Sequence, residues 1–302
     1  MALLHELGKL PHDLVSLVCA YALEGDPVSH FASAAELGDL WAARWLTREY
    51  NITADHLRAT GYAAMRAACG NLCLAQWLEA AFGLTAEYAH ADYIMLKQIC
   101  TGGHLATAQW LASVCSFSAE YVVNANALGR ACEGGWLELA QWLTTEYKLD
   151  AEAARSTDNY ALIESCAGGH TLVAEWLTST FGLTVDDVRG CDNCALRTVC
   201  MRGFLETAMW MKRAFSLTAD DARDGALRYA CEGDHLAVAK WLVSEFGLTA
   251  ADALEALEVR KSCGHDTATW AWLVDKFDLP ASDSDRDDSD LDDPDLEYLD
   301  EE

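Results

Sequence analysis

Histidine and cysteine are the residues of this chain whose types and spacing could hold a metal ion. Four histidines follow a tight turn in a phrase that recurs along the sequence: His104, His170, His235 and His265. Two other copies of the phrase carry Trp136 and Phe204 at the same place. An indole or a phenyl ring cannot replace an imidazole as a metal ligand. We therefore expect turn histidines that bond to the backbone of a neighbouring repeat, and no metal site.

Cys191 and Cys194 form a CxxC pair, a spacing found in zinc sites and in thiol redox centres. A zinc site needs two further ligands nearby, and a redox centre of this type needs a thioredoxin-like βαβ context, which is absent. A structural or incidental role is therefore expected. The sequence also lacks a glycine-rich phosphate loop, a nucleophile elbow and a carboxylate pair outside the repeats. We predict that the protein is not an enzyme and uses no cofactor.

Seven other cysteines recur every 31 to 34 residues: Cys69, Cys100, Cys132, Cys166, Cys200, Cys231 and Cys263. Equivalent positions in stacked helices lie about 8–10 Å apart, whereas the Cα atoms of a disulfide lie within about 7 Å of each other. Disulfides therefore do not explain the spacing. We predict small, buried, apolar thiols in a reducing compartment, the cytoplasm or nucleus, including that of a host cell.

Tryptophan marks the repeat that contains these residues. Eight tryptophans lie 31 to 34 residues apart: Trp45, Trp77, Trp110, Trp142, Trp176, Trp210, Trp241 and Trp272. Apolar residues around each, such as Leu236 and Ala239, follow the spacing of an amphipathic helix. A Leu–Cys pair four residues apart, such as Leu227 and Cys231, indicates another helix before it. The pattern predicts an all-α solenoid of about eight helix-turn-helix repeats over residues 30–280, with the tryptophans as its main apolar anchors.

Regular caps join the predicted helices. Paired glycines such as Gly134-Gly135 end the first helix by supplying a left-handed backbone. After the second helix comes a residue that caps a further short helix. Seven such N-caps recur: Thr53, Thr85, Ser118, Asp150, Thr184, Thr218 and Thr249. Asp187, Asp221 and Asp252 lie three residues after their threonines, as in a capping box.

The phrase ALRYACEGDHLAVAKWL (226–242) resembles the ankyrin pattern P-L-H-x-A-A-x-x-G-H-L-x-V-V-K-L-L position by position. Leu227 falls at the ankyrin leucine, Arg228 at the histidine and His235 at the Gly-His step. The resemblance covers about residues 30–280 and implies an array that binds proteins. The T-P dipeptide is missing, and a short capped helix is expected in place of the β-hairpin. In style the repeats resemble the large ankyrin families of giant DNA viruses of amoebae.

One row of basic residues stands out in this acidic protein, three positions before the repeat cysteine: Arg66, Lys97, Arg197, Arg228 and Arg260. Gly129 and Ile163 occupy the two remaining places in the row. One interpretation is ion pairing between repeats with the abundant loop acids. The other is a basic stripe on the inner helices that receives an acidic segment of a partner, or of this chain's own end. Exposed ion pairs contribute only about 0–1 kcal/mol each, so such a stripe would act by summation.

The net charge of −27 argues against direct binding to nucleic acids or anionic membranes, because both present negative phosphates. No run of eighteen apolar residues predicts a transmembrane helix. The segment 281–302 has twelve acidic residues and one arginine. Because such a composition cannot offset the entropy of ordering, we expect this segment to be disordered.

The N-terminal phrase Leu10-Pro-His-Asp-Leu-Val-Ser-Leu-Val-Cys-Ala-Tyr21 resembles the opening of an F-box. The residues that carry this resemblance are Leu10, Pro11, Leu14, Val18 and Tyr21. An F-box docks a chain onto the adaptor subunit of a cullin ubiquitin ligase. The alternative is that residues 1–29 form a helix that caps the exposed apolar end of the stack. The segment has no basic start before an apolar core, so no cleaved secretory signal is expected.

Together these features predict a monomeric scaffold that binds another protein through its repeats. A substrate receptor of a ubiquitin ligase is the alternative, and its adaptor would be a second partner. A weaker third hypothesis is an acidic mimic of nucleic acid that occupies a DNA-binding protein.

Overall fold

The computed structural model describes residues 26–59, 63–83, 93–223, 225–263 and 267–279. Within these ranges every regular element is a helix, so the prediction of an all-α protein is confirmed. The chain divides into two compact units, Met1–Gly190 and Cys191–Glu302. None of the described helices combines the length and the apolar character that crossing a membrane requires.

The helices that carry the periodic tryptophans are called second helices here. They are Leu40–Glu49, Leu72–Phe82, Leu105–Val114, Leu137–Tyr147, Thr171–Phe181, Leu205–Phe215, Leu236–Phe246 and Ala268–Phe277. Each buries the residue two before its tryptophan and the residue after it, as Ala140 and Leu143 do around Trp142. Positions three residues apart share one face of a helix, and this face forms the core.

The helix before each second helix is called a first helix. Five are separate elements: Pro27–Glu36, Ala63–Ala67, Ile94–Gly102, Ala127–Glu133 and Ala226–Glu232. A 3₁₀ turn, Ala68–Gly70, extends the second of these. Three others are the C-terminal parts of longer helices: Ala151–Ala167, Val185–Arg202 and Ala250–Cys263. The predicted Leu–Cys face is confirmed, for example by Leu162 and Cys166, both 0% exposed.

Short linker helices lead from a second helix to the next first helix. Three are separate, Ala54–Ala59, Ala119–Asn124 and Ala219–Arg223, and others are the N-terminal parts of the longer helices. Within Ala151–Ala167 the two parts meet at a break, where Thr157, Asp158 and Asn159 have φ between 54° and 60°. The short capped helix predicted between repeats is present at these places.

Within each unit the helices pack in two layers. In the first unit Ile94–Gly102 contacts Ala127–Glu133, which in turn contacts Ala151–Ala167. In the second unit Leu236–Phe246 contacts Ala268–Phe277. First helices thus pack on first helices and second helices on second helices, so that residues at equivalent places in neighbouring repeats become spatial neighbours.

The tryptophans are less buried than predicted. Trp45 and Trp210 are 6% and 8% exposed, but the other six periodic tryptophans are only half-buried. Because one residue turns a helix by about 100°, each indole lies beside the face that carries the buried alanine and leucine. In six of the eight helices the indole meets an aromatic ring five residues later edge-on, as Trp142 meets Tyr147 at 6.1 Å between ring centres. Six of the eight tryptophans therefore lie at the edge of the buried face, and their role as the main apolar anchors stays a prediction.

Candidate protein-interaction site

The turn between a first and a second helix forms a narrow slot for a ring. His104, Trp136, His170 and His235 all lie at the N-cap of a second helix. A Cβ atom on Gly134 would overlap the indole of Trp136, and one on Gly135 would overlap the imidazole of His170. The first glycine of the pair therefore leaves room for its own repeat's ring, and the second for the ring of the next repeat. Only the second has a left-handed backbone, with φ of +76° at Gly135 against −80° at Gly134.

The slot explains why imidazole and indole exchange at this place. Trp136 Nε1 donates to the carbonyl of Thr101 in the preceding repeat (2.9 Å). Asn71, at the equivalent place, donates to the carbonyl of Gly38 (3.3 Å). This bond to a neighbouring repeat was predicted for the histidines, but in the described residues an indole and an amide make it, while the imidazoles pack against turn glycines. His265 lies outside the described residues, within which no group of three or more His, Cys, Asp or Glu is placed to hold a metal ion.

The repeat cysteines are buried, as predicted. Six are described: Cys69, Cys100, Cys132, Cys166, Cys200 and Cys231. Burial raises the pKa of the Cys69, Cys166 and Cys231 thiols to about 12. A thiol with such a pKa holds almost no reactive thiolate at neutral pH. Of the CxxC pair, Cys194 is half-buried, whereas the side chain of Cys191 lies outside the described part, as does that of Cys263.

The capping aspartates bind two repeats at once. Asp187 accepts hydrogen bonds from the Thr184 amide (2.7 Å) and hydroxyl (3.3 Å). It also accepts two bonds from the guanidinium of Arg155 in the preceding repeat, from Nε (2.7 Å) and Nη2 (3.1 Å). Burial alone would raise the pKa of Asp187, but the bonds from Arg155 and Thr184 hold that pKa below its usual range. The predicted capping role is confirmed, and a link between repeats is added to it.

Asp252 repeats this arrangement in the second unit. It accepts from the amide and hydroxyl of Thr249 (2.6 and 2.8 Å) and from Nε of Arg223 (2.9 Å). Neither Arg155 nor Arg223 belongs to the basic row, and sequence reasoning missed both. The signal was present, because an arginine recurs five residues after the N-cap at positions 155, 189 and 223.

The basic row itself lies on the first helices but is not continuous. Its described cations are half-buried: Arg66, Lys97, Arg197 and Arg228. Gly129 and Ile163, which hold the two row positions between Lys97 and Arg197, are both buried. A Cβ atom on Gly129 would overlap Asn126 and crowd Tyr160. The side chain of Arg260 lies outside the described residues. The row therefore separates into Arg66 and Lys97 in the first unit and Arg197 and Arg228 in the second.

In the second unit two arginines of the row lie near one aromatic ring. The guanidinium carbons of Arg197 and Arg228 lie 5.9 and 4.1 Å from the ring centre of Tyr229. Arg228 also pairs with Glu232 one turn later in its own helix (2.8 Å), so its ion pair does not join repeats. Both arginines line a pocket of about 230 Å³ that also contains Arg223 and Asp252. Carboxylates thus balance much of the positive charge here.

The first unit holds a larger opening, called the first-unit groove. It has a volume of about 510 Å³ and is lined by Ile94, Lys97, Gln98, Thr101, Gly102 and Arg130. Lys97 Nζ lies 5.5 Å from the ring centre of Tyr93. Arg130, one residue past the row, lies over Tyr160 at 5.2 Å. Sequence reasoning missed Arg130 because the row position beside it is a glycine.

Two further sets of predicted site residues lie outside the described part of the chain. They are the adaptor-docking residues Leu10, Pro11, Leu14, Val18 and Tyr21, and the acidic segment 281–302. Both assignments stay predictions. No protein-family model matches the sequence, and comparison with curated proteins also finds no match.

Proposed function

We propose that the protein is a scaffold that binds another protein through an ankyrin-like solenoid of about eight helix-turn-helix repeats. The recurring ring slot, the recurring caps and the layered packing within each unit support a repeat array. Repeat arrays expose an extended series of equivalent side chains, which suits them to protein binding. Monomeric action in the cytoplasm or nucleus remains part of the proposal.

The observation that carries the proposal is the set of cations held against tyrosine rings on the first helices. Lys97 lies over Tyr93, and Arg197 and Arg228 flank Tyr229. A side chain that is already held against a ring loses less conformational freedom when a partner binds. Arginine and tyrosine are also enriched among the residues that dominate binding energy at interfaces. In a chain with a net charge of −27, these cations can select a partner by charge.

Affinity purification from the native host tests this function. The intact chain would be compared with a variant carrying Lys97→Gln, Arg197→Gln and Arg228→Gln. A control variant would lose the same charge at the exposed residues Arg48, Lys148 and Lys276. We expect partners that co-purify with the intact and control chains and are lost with the row variant. Identical partners for all three chains, with all three folded by circular dichroism, would contradict binding through the row.

The ubiquitin-ligase function is a second proposal and rests on the N-terminal phrase. The helix Pro27–Glu36 already belongs to the first hairpin, with Phe31 fully buried. The chain between the phrase and this helix is therefore too short for the three helices of a full F-box. Purified adaptor subunit should be retained by the intact chain and not by one carrying Leu14→Asp and Val18→Asp. No retention by the intact chain would end this proposal.

A further inference from the structure

We propose that a groove between two linker helices of the first unit binds a partner segment that combines lysine or arginine with an apolar side chain. The groove, called the linker groove, has a volume of about 650 Å³ and is lined by residues of Ala119–Asn124 and of the N-terminal part of Ala151–Ala167. Clefts of about 300–1,000 Å³ are usual for ligand binding. The inference goes beyond the scaffold function, because the linker groove contains no residue of the basic row and selects a basic partner segment.

The linker groove is open at a place where other neighbouring repeats are joined by an ion pair. Arg155, five residues after its N-cap, pairs with Asp187, three residues after the next N-cap, and the pair around Asp252 is built in the same way. Counted likewise in the preceding pair of repeats, the two positions are held by Val123 and Ala153. Both are half-buried and line the linker groove. Two short apolar side chains thus replace the arginine and the aspartate, and they leave apolar surface open between the repeats.

Three carboxylates line the linker groove beside this apolar surface. They belong to Glu120, Asp150 and Glu152, and all three residues are exposed. Asp150 caps its helix by accepting a hydrogen bond from the Ala153 amide (2.9 Å). Within the ranges that the structure describes, none of the three carboxylates forms an ion pair. The groove therefore offers acceptors for the cations of a partner.

Two cations also line the linker groove and offset only part of its negative charge. Arg155 donates to both oxygens of Asp187 and to the carbonyl of Gly182 (3.3 Å), so its own charge is matched by a carboxylate. Lys148 is exposed and remains to be counted against the three carboxylates. Three carboxylates and one lysine leave an excess of two negative charges at the groove. The net charge of −27 adds to this local excess and attracts cationic segments over a longer range.

Charge and apolar surface together define the occupant. An exposed ion pair contributes little on its own, so a purely charged segment would bind the linker groove no better than the rest of this acidic surface. A leucine-like side chain placed on Val123 and Ala153 adds apolar burial, which favours binding in proportion to the area covered. A neighbouring lysine or arginine then reaches Glu120 or Glu152. An acidic segment is excluded, because its carboxylates would meet those of the groove.

An NMR titration of the isotope-labelled full chain tests the proposal, with a blocked pentapeptide of alternating lysine and leucine as the probe. The amide signals of Val123 and Ala153 should shift saturably. Replacing leucine by glycine in the peptide, or lysine by glutamate, should remove these shifts. Glu120→Gln combined with Glu152→Gln should weaken binding about two- to tenfold, the loss of two exposed ion pairs. The control, Glu138→Gln with Glu146→Gln, removes the same charge from exposed residues of Leu137–Tyr147 and should leave the affinity nearly unchanged.

A second variant fills the linker groove without changing the net charge. Val123→Arg with Ala153→Asp introduces the residues that hold the equivalent places in the pair Arg155–Asp187. Saturable binding of the peptide should be lost, while circular dichroism and thermal unfolding show a folded chain. If this variant does not fold, the glutamine variants decide alone. Equal weakening by the two glutamine pairs, or shifts spread over the surface without saturation, would overturn the proposal, because the peptide would then sense only the net charge. The basic row takes no part in these measurements, so the scaffold proposal and this one can fail separately.

Discussion

Asp187 shows how one buried side chain can stabilise two repeats. Its carboxylate caps the linker helix of its own repeat through Thr184 and binds Arg155 of the preceding repeat. The first role could be predicted, because threonine and aspartate three residues apart form a local signature. The second could not, because its partner lies 32 residues earlier and comes close only when the repeats stack.

Asp187 and Asp186 form a matched pair for mutation. Asp187 is 7% exposed, whereas Asp186 is exposed in the same first turn. We expect Asp187→Ala to lower the free energy of unfolding by about 1–3 kcal/mol, because Thr184 loses its acceptor and Arg155 keeps only the Gly182 carbonyl. Asp186→Ala should cost less than about 1 kcal/mol, the usual helix N-terminal charge effect. Urea unfolding followed by circular dichroism measures both, and equal losses would contradict the double role.

The stability that Asp187 contributes should depend on pH in a defined direction. Its pKa in the folded protein lies below that in the unfolded chain, which is about 3.9. The contribution is therefore complete above about pH 5 and is lost as the pH falls through the lowered folded pKa. The difference in unfolding free energy between the native protein and Asp187→Asn should be constant from about pH 5 to 8 and shrink below about pH 4. A constant difference down to the lowest pH at which both fold would refute this assignment.

At the scale of the helix, the centre of the buried face is formed by alanine and leucine and not by tryptophan. Leu143 is fully buried in Leu137–Tyr147, whereas Trp142 is half-buried at the edge of that face. Periodicity alone identified the helix but not the centre of its buried face. Both residues recur with the same period, and the size of tryptophan favoured the residue at the edge of that face.

Leu143→Ala should therefore destabilise the protein more than Trp142→Ala. The leucine change leaves a cavity in the core and should cost about 3–5 kcal/mol. The tryptophan change removes an edge-on contact with Tyr147 and part of a half-buried surface. It should cost less than the leucine change, although a fully buried tryptophan would cost about 3–5 kcal/mol. Thermal and urea unfolding of the two variants give the order, and the reverse order would restore the tryptophan as the anchor.

The glycine turn shows the same limit of sequence reasoning. The pair Gly134-Gly135 predicted a helix end, and the left-handed Gly135 agrees with it. The need for Gly134 was not visible, because it comes from the Trp136 ring folding back over the turn. Gly129 is similar, since a Cβ atom there would overlap Asn126 of its own repeat and crowd Tyr160 of the next. Side-chain packing in the folded chain, within and between repeats, thus decides positions that the residue pattern leaves undetermined.

Gly134→Ala tests the slot separately from backbone strain, because φ at Gly134 is an ordinary −80°. The added methyl would overlap the Trp136 indole and lie 3.0 Å from the Thr101 carbonyl. We expect a loss of about 1–3 kcal/mol from overpacking. The control is Gly190→Ala inside Val185–Arg202, where the nearest atom is 3.6 Å away. It should be neutral or stabilise by up to about 1 kcal/mol. A neutral Gly134→Ala would mean that the ring can leave the slot without cost.

At the scale of the whole molecule, two electrostatic effects oppose each other. Ion pairs such as Arg155–Asp187 and Lys212–Glu245 join repeats and are weakened by salt. The 48 acidic and 21 basic residues leave an excess of 27 negative charges that no internal pair can neutralise. This excess destabilises the folded state through self-repulsion, which salt relieves.

Repulsion should dominate, because exposed pairs contribute only about 0–1 kcal/mol each and the excess charges far outnumber the pairs between repeats. Raising NaCl from about 0.01 to 0.15 M shortens the screening length from about 30 to 8 Å, comparable to the distance between repeats. We therefore expect Tm at neutral pH to rise over this range, before general salting effects begin. Arg155→Gln removes one pair between repeats, so its Tm should rise with salt at least as steeply. A Tm that falls with salt in the native chain would show that the ion pairs, and not the excess charge, govern its electrostatic stability.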